Sequence, residues 1–259
     1  MTHLIVDEGN TAVKIALFAA GKCTFFETFS KEALTSIFAA KVSLKGVQRA
    51  IVASVVAGAE QRWNFLKALI PEVLIASNTM LLPFKNLYAT PHTLGVDRIA
   101  LVAGAQQHFP NTDVLVIDAG TCLTFDFINR QAEYLGGAIA PGIAMRLKAM
   151  HHFTSQLPLI EEQDFDTEQF IGNSTQSCML SGVYHNTVCE IEGVIAAYLE
   201  KYPALQVVLT GGQQFYLQKR IKYQIFASSL VLLEGLNALL EYQLQANQHA
   251  KERTLNTYE

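Results

Sequence analysis

The sequence predicts an α/β protein built from two tandem halves, residues 1–110 and 111–259, and three observations carry that prediction. One short motif occurs twice, in Leu4-Ile5-Val6-Asp7-Glu8-Gly9-Asn10-Thr11 and in Leu115-Val116-Ile117-Asp118-Ala119-Gly120-Thr121. Each copy is an apolar run ending in Asp, any residue, Gly, then an amide or hydroxyl residue, with a second β-prone run following at once. Both halves open with three β segments and continue with alternating helices and strands. Between them Pro110-Asn111-Thr112-Asp113 interrupts the pattern with turn-forming residues.

In chain order, β-branched runs bounded by turn residues predict strands at 3–7, 11–18 and 22–28. A helix at 30–40, a strand at 48–54, a helix at 58–69 and a strand at 72–76 follow. A loop then passes through Pro83 and Pro91, and a helix covers about 94–108, with Thr93 as its N-cap. The second half restarts with strands at 114–118, 121–128 and 133–139. A helix at 142–152 follows, with Pro141 suited to its start. A long helical pattern covers 174–201, capped by Ser174 and Thr175, then a strand at 205–210, a helix at 213–220, a short strand near 224–227 and a helix at 230–246. The polar tail after Gln245 is expected to fray.

Composition narrows the classes. Half of the 259 residues are hydrophobic, and 19 Lys and Arg stand against 23 Asp and Glu, a net charge of −4. No basic block marks a nucleic-acid partner. The apolar N-terminus has no basic leader and is interrupted by Asp7 and Glu8, unlike a signal peptide. No apolar run approaches the roughly 20 residues that span a bilayer. The cysteines, Cys23, Cys122, Cys178 and Cys189, form no C-x-x-C pair, so neither a zinc nor a redox motif is supported, and a reduced cytoplasmic protein is expected. Cys178 and Cys189 lie about three turns apart on one helix and cannot bridge. Adjacent His151 and His152 point in different directions on a helix, which argues against a metal there.

The repeated hairpins carry the chemistry. Glycine lets a backbone approach a ligand, hydroxyl and amide groups donate to phosphate oxygens, and Asp at a strand end can hold a cation. Two such hairpins facing each other would grip a nucleoside triphosphate and its metal, which points to phosphoryl transfer. Asp7 is either a turn Asp bonded to its own backbone or a carboxylate that orients Mg2+. On the second reading Gly9, Asn10 and Thr11 bind phosphate oxygens and Lys14 neutralises phosphate charge; otherwise Lys14 is a solvated strand-edge lysine. Asp97 falls in the first turn of a helix, where it complements the helix dipole. Arg98 is either a surface arginine or a bidentate partner for a carboxylate or phosphate. Tyr88 is either a loop tyrosine packed on the core or the wall of a pocket.

The order β-β-β-α-β-α, twice over, is that of a duplicated ribonuclease-H-like fold, and the two hairpins resemble those of the actin, sugar kinase and heat-shock ATPase superfamily. Within it the chain resembles type III pantothenate kinases. The resemblance rests on Asp7-x-Gly9-Asn10-Thr11-x-x-Lys14, Gly95-x-Asp97-Arg98 and Asp118-x-Gly120-Thr121-x-x-Thr124. It also rests on Gly136-Gly137-x-Ile139-x-Pro141-Gly142, Gly172-x-Ser174-Thr175 and Leu209-Thr210-Gly211-Gly212. The resemblance implies that ATP phosphorylates the primary hydroxyl of pantothenate to give 4'-phosphopantothenate, the first step toward coenzyme A. It implies that Asp97 is the catalytic base and that Tyr88, Gly95, Val96, Asp97 and Arg98 line the substrate pocket. It implies that Thr121 contacts ATP, that Asp118 helps bind a monovalent cation (potassium or ammonium), and that Thr175 reaches the substrate across a homodimer interface.

The chain departs from the family pattern at three places. Glu8 stands where an aliphatic residue is usual, and is expected either to face solvent or to weaken phosphate affinity by repulsion. Cys122 replaces a common alanine and reads as a small hydrophobe. Asn186 replaces a common glycine one turn after Gly182, which puts a close helix–helix approach there in question. No G-x-x-x-x-G-K-[ST] is present, which argues against a Walker-type enzyme. The rival readings are a kinase of another small hydroxylated substrate and a non-catalytic nucleotide-binding regulator. The long helix at 174–201 is apolar on more than one narrow stripe, as expected of a helix packing on its own core and on a partner.

Overall fold

The computed structural model describes residues 1–30, 42–56, 58–162 and 170–255, with side chains to residue 248. The helix expected at 30–40 falls outside the described residues except for Ser30, which ends a strand. The chain forms two compact units: Met1–Asn111 with Gln131–Leu135 and Leu230–Glu259, and Thr112–Arg130 with Gly136–Ser229. The last helix, which the sequence reading assigns to the second half, thus clusters with the first unit.

In the first unit, β1 (Thr2–Glu8), β2 (Ala12–Ala19), β3 (Lys22–Ser30), β4 (Val47–Ser54) and β5 (Glu72–Ile75) form a sheet in the order β3-β2-β1-β4-β5. β1 pairs antiparallel with β2 and parallel with β4. From His3 to Glu8 every residue of β1 is buried, the continuous run of a central strand covered on both faces. One face carries Leu4, Val6, Val13, Ile15 and Val52 against Trp63, Leu66 and Ile70. The expected helix at 58–69 is an α-turn, Ala59–Trp63, followed by a 3-10 turn, Asn64–Ala68. Trp63 and Leu66, three apart and both buried, suit the three-residue period of that turn.

The helices Val96–His108 and Val231–Leu255 pack on each other, and the second also packs on β1 and β4. They cross at two glycines. A Cβ on Gly104 would strike the carbonyl of Val231, and one on Gly235 would strike that of Ala100. The final helix runs past the point where fraying is expected, because residues 245–255 include no Gly or Pro to stop it. Thr93 is not a cap: its hydroxyl donates to the Thr90 carbonyl in a 3-10 turn, and Gly95 is the N-cap with no side-chain bond.

In the second unit, β7 (Val114–Ala119), β8 (Cys122–Ile128), β9 (Glu133–Pro141), β10 (Gln206–Thr210) and β11 (Phe226–Ala227) lie in the order β11-β10-β7-β8-β9. The first residues of β9, Glu133 and Tyr134, cluster with the first unit and pair there with β6 (Lys85–Asn86), a short strand inside the expected loop. Pro141 ends β9, and Gly142 is the N-cap of the helix Ile143–His152. Ser174 caps the helix Thr175–Lys201 in a reciprocal box with Ser177. Along that helix Met179, Leu180, Val183, Tyr184, Ile191 and Ile195 are buried within the chain, against Ile143 and Leu147 at one end and β7, β8 and β10 at the other. Its apolar surface is therefore largely used at home. Among the described residues no helix is long and apolar enough to cross a membrane.

Candidate active site

The first hairpin closes with Gly9 N–H donating to the Ala12 carbonyl at 3.0 Å, which leaves Asn10 and Thr11 exposed at its tip. Asp7 and Lys14 are direct cross-strand partners, and Lys14 Nζ lies 3.7 Å from Asp7 Oδ2. Since β2 lies between β1 and β3, Lys14 is not an edge lysine. Asp7 is only 7% exposed. Burial pushes its carboxyl up to about 6; Lys14 opposes the shift, and the charge of Asp97 adds to it. A turn aspartate bonded to its own backbone would not be held this way. The carboxylate is desolvated, under-compensated by one lysine, and beside a second carboxylate. That suits a divalent cation, since Mg2+ binds through one or two carboxylates together with substrate phosphates.

Asp97 is half-buried in the first turn of Val96–His108, and its Oδ1 accepts from Arg98 N–H at 2.9 Å. Gly95 makes room for it, because a Cβ there would run into Asp97 Oδ1. Arg98 is 6% exposed, not a surface arginine, and its guanidinium stands 5.7 Å from the centre of the Tyr88 ring. Tyr88 stacks on buried Tyr134 at 6.1 Å, and its N–H donates to Asn86 Oδ1 at 2.9 Å. Asp7, Lys14 and Asp97 thus share one neighbourhood of the first unit, and Tyr88 with Arg98 forms an aromatic–cationic wall in the same unit. Tyr134, which supports Tyr88, escaped the sequence reading because it lies 46 positions away across a strand pairing.

The second hairpin is one residue tighter: Gly120 N–H donates to the Cys122 carbonyl at 3.0 Å. Asp118 consequently faces Thr124 across the ladder, where Asp7 faces Lys14. The two aspartates therefore sit in different electrostatic settings. Two glycines press backbone against this turn. Gly142 stacks on the Gly120 and Thr121 carbonyls, and Gly211, at φ 95°, lies where a Cβ would strike Asp118 and Ala119. Arg146 Nε donates to the Pro141 carbonyl at 2.7 Å and pins the connector. A small pocket in this unit is lined by Ala119, Gly120, Gly142, Ile143, Thr187 and Gln213. Thr121 and Thr175 are both exposed, Thr175 in the first turn of its capped helix. A Cβ on Gly182 would meet open space among the described residues, so no close approach is made there within them.

Glu8 does not face solvent. It is 2% exposed and receives three donors: Arg62 Nε at 2.7 Å, Ser54 Oγ at 2.8 Å and Trp63 Nε1 at 3.1 Å. Its partners lie at residues 54, 62 and 63, too far along the chain to leave a local signal.

The family model of type III pantothenate kinase matches residues 3–197. The type III pantothenate kinase of Christiangramia forsetii is 41% identical over 241 residues, covering 93% of this chain and 98% of that one. The chain belongs to the type III pantothenate kinase family. Among solved structures, a Campylobacter jejuni protein described as a Baf family transcriptional activator matches with a TM-score of 0.61 at 20% identity, over 93% of this chain and 99% of that one. The activator of 2-hydroxyisocaproyl-CoA dehydratase from Clostridium difficile, with bound ADPNP, matches with a TM-score of 0.50 at 11% identity, over 96% and 98%. At such identities these likenesses bear on the fold alone, which is the actin-like ATPase architecture that the duplicated order implies.

Proposed function

We propose that this pantothenate kinase family member transfers the γ-phosphoryl group of ATP to the primary hydroxyl of pantothenate, forming 4'-phosphopantothenate. The observation that carries the reading is the grouping of Asp7, Lys14 and Asp97 in one unit of a chain matched along nearly its whole length by pantothenate kinases. Asn10 and Thr11 offer donors to phosphate oxygens, Gly9, whose N–H closes the hairpin, lets the phosphates approach its backbone, and Lys14 balances their charge. Asp7 would hold Mg2+, which supplies charge neutralisation on the phosphates when bound. Asp97 orients the substrate hydroxyl and accepts its proton late, as a loose transition state allows. Gly95 and Val96 shape the turn beside it. Arg98, backed by Tyr88, offers a fixed planar cation to the substrate carboxylate.

In the second unit, Thr121 contacts ATP and Asp118, facing a neutral threonine, binds a monovalent cation, potassium or ammonium. A homodimer in the cytoplasm, with Thr175 serving the neighbouring site, completes the proposal. The largely self-buried long helix leaves little apolar surface for a partner, while Phe153, Ile171 and Phe215 of the second unit are exposed. The test is to incubate the protein with MgATP and pantothenate in potassium buffer and identify the product by mass. Phosphopantothenate is the expected product; its absence, with phosphate appearing on another alcohol, would replace the substrate.

A further inference from the structure

Glu8 follows the carboxylate assigned to Mg2+ and precedes the glycine of the phosphate turn. A second negative charge there should repel a triphosphate. Strand alternation instead turns Asp7 and Glu8 to opposite faces, and the Glu8 side chain is buried among groups from two other elements. Ser54 ends β4 and is the ladder partner of Glu8, while Arg62 and Trp63 belong to the short helix Ala59–Trp63. Val55 N–H also donates to the Glu8 carbonyl at 3.2 Å. Trp63 is itself fixed in the core against Leu4 and Val6. One carboxylate therefore joins the ends of β1 and β4 to the following helix, and Arg62 supplies its counter-charge.

We propose that Glu8 is a positioning residue for phosphoryl transfer: clamped by Arg62, Ser54 and Trp63, it holds the end of β1 so that Asp7 and the Gly9–Thr11 turn meet the triphosphate in a fixed geometry. Arg62 cancels the charge that would otherwise oppose the ligand. This rests on the reading of the first hairpin as the phosphate site. Neither Glu8 nor Arg62 touches the reacting atoms, so the defect should lie in ATP binding.

The test is steady-state kinetics against MgATP, with thermal melting, on Glu8→Ala, Arg62→Met, their double variant, Arg62→Lys and Asp7→Asn. Glu8→Ala and Arg62→Met should each raise the KM for ATP about tenfold while kcat changes less than about twofold. The double variant should be no worse than the poorer single one, because both act through one contact. Arg62→Lys, which keeps the charge, should stay within about threefold of the parent KM. An unchanged KM in Glu8→Ala and Arg62→Met, whatever the melting temperature does, overturns the proposal, as do additive losses. Should Arg62→Met not fold, Glu8→Ala with Arg62→Lys decides on the same criteria. Asp7→Asn separates the two levels. If it keeps parental kinetics, the hairpin reading itself is wrong; if it is inactive while Glu8→Ala keeps its KM, only the positioning role is lost.

Discussion

Burial of the Asp7 carboxyl, with the charge of Asp97 adding to it, has measurable consequences. The folded-state pKa of Asp7, about 6, lies above its ordinary value of 3.8. Its contribution to stability is therefore fully present below pH 3.8 and is lost as pH rises through about 6. Above that, holding the charge costs on the order of 2–3 kcal/mol. Asp7→Asn should then be more stable than the parent by about that much at pH 8, with the gap closing below pH 4, and should be nearly inactive. Urea unfolding at several pH values measures it; equal stability at pH 8 would show that the carboxylate is not strained. The same titration should appear in kcat/KM for MgATP as an acid limb near pH 6, because a protonated Asp7 is a poor cation ligand.

Asp97→Asn should cut turnover by about 10²–10⁴-fold, the range of a lost general base. It should also lower the pKa of Asp7, since one of the charges raising it is gone. Carboxyl titration by NMR reads that shift without any turnover. Parental turnover in Asp97→Asn would end its assignment as the base. These residues could be singled out in the sequence because the chemistry proposed for Asp, Gly, Thr and Lys leaves a local spacing. Glu8 was not: polarity alone cannot show that three donors arrive from residues 54, 62 and 63.

Among the elements, strands and long helices could be read from sequence pattern: β1 is a continuous apolar run buried on both faces, and β2 alternates on either side of Ala16. What could not be read depends on partners distant in sequence. β6 is two residues long and exists only because Glu133 and Tyr134 pair with it. The crossing of Val96–His108 and Val231–Leu255 depends on Gly104 and Gly235, whose meaning appears only when both helices are placed. Either glycine replaced by valine must displace backbone, because the obstructing atoms are carbonyls of the facing helix. We expect a loss of about 2–4 kcal/mol for Gly104→Val, the range of overpacked or strained core sites. A denaturant midpoint within error of the parent would show that the helices can part cheaply.

Across the whole molecule, the repeat is real in topology and unequal in detail. Both units open with an antiparallel hairpin at a central strand, yet the second turn is a residue shorter and sets Thr124 where the first has Lys14. The motif spacing already contained that difference, but its electrostatic meaning needed the ladder register. Activity should accordingly rise with potassium or ammonium more than with sodium, and Asp118→Asn should remove that preference; equal rates in all three salts would contradict the monovalent site. For the dimer, mixing inactive Asp97→Asn chains with chains inactivated by a bulky residue at Thr175 should restore part of the activity. A monomer by sedimentation at assay concentration would exclude a shared site. Family membership and fold followed from motifs spread over residues 7 to 212, whereas the last helix's place in the first unit did not, because no local pattern tells a helix which sheet it will cover.

Pantothenate-dependent phosphoryl transfer is tested by coupled ADP release by the intact protein with MgATP in potassium buffer, with and without pantothenate, for the parent and for Asp97→Asn. ADP release should depend on pantothenate and match phosphopantothenate formed mole for mole. Asp97→Asn should still bind ATP but turn over at least about 100-fold more slowly. ADP release at the same rate without pantothenate, or unslowed in Asp97→Asn, would contradict it.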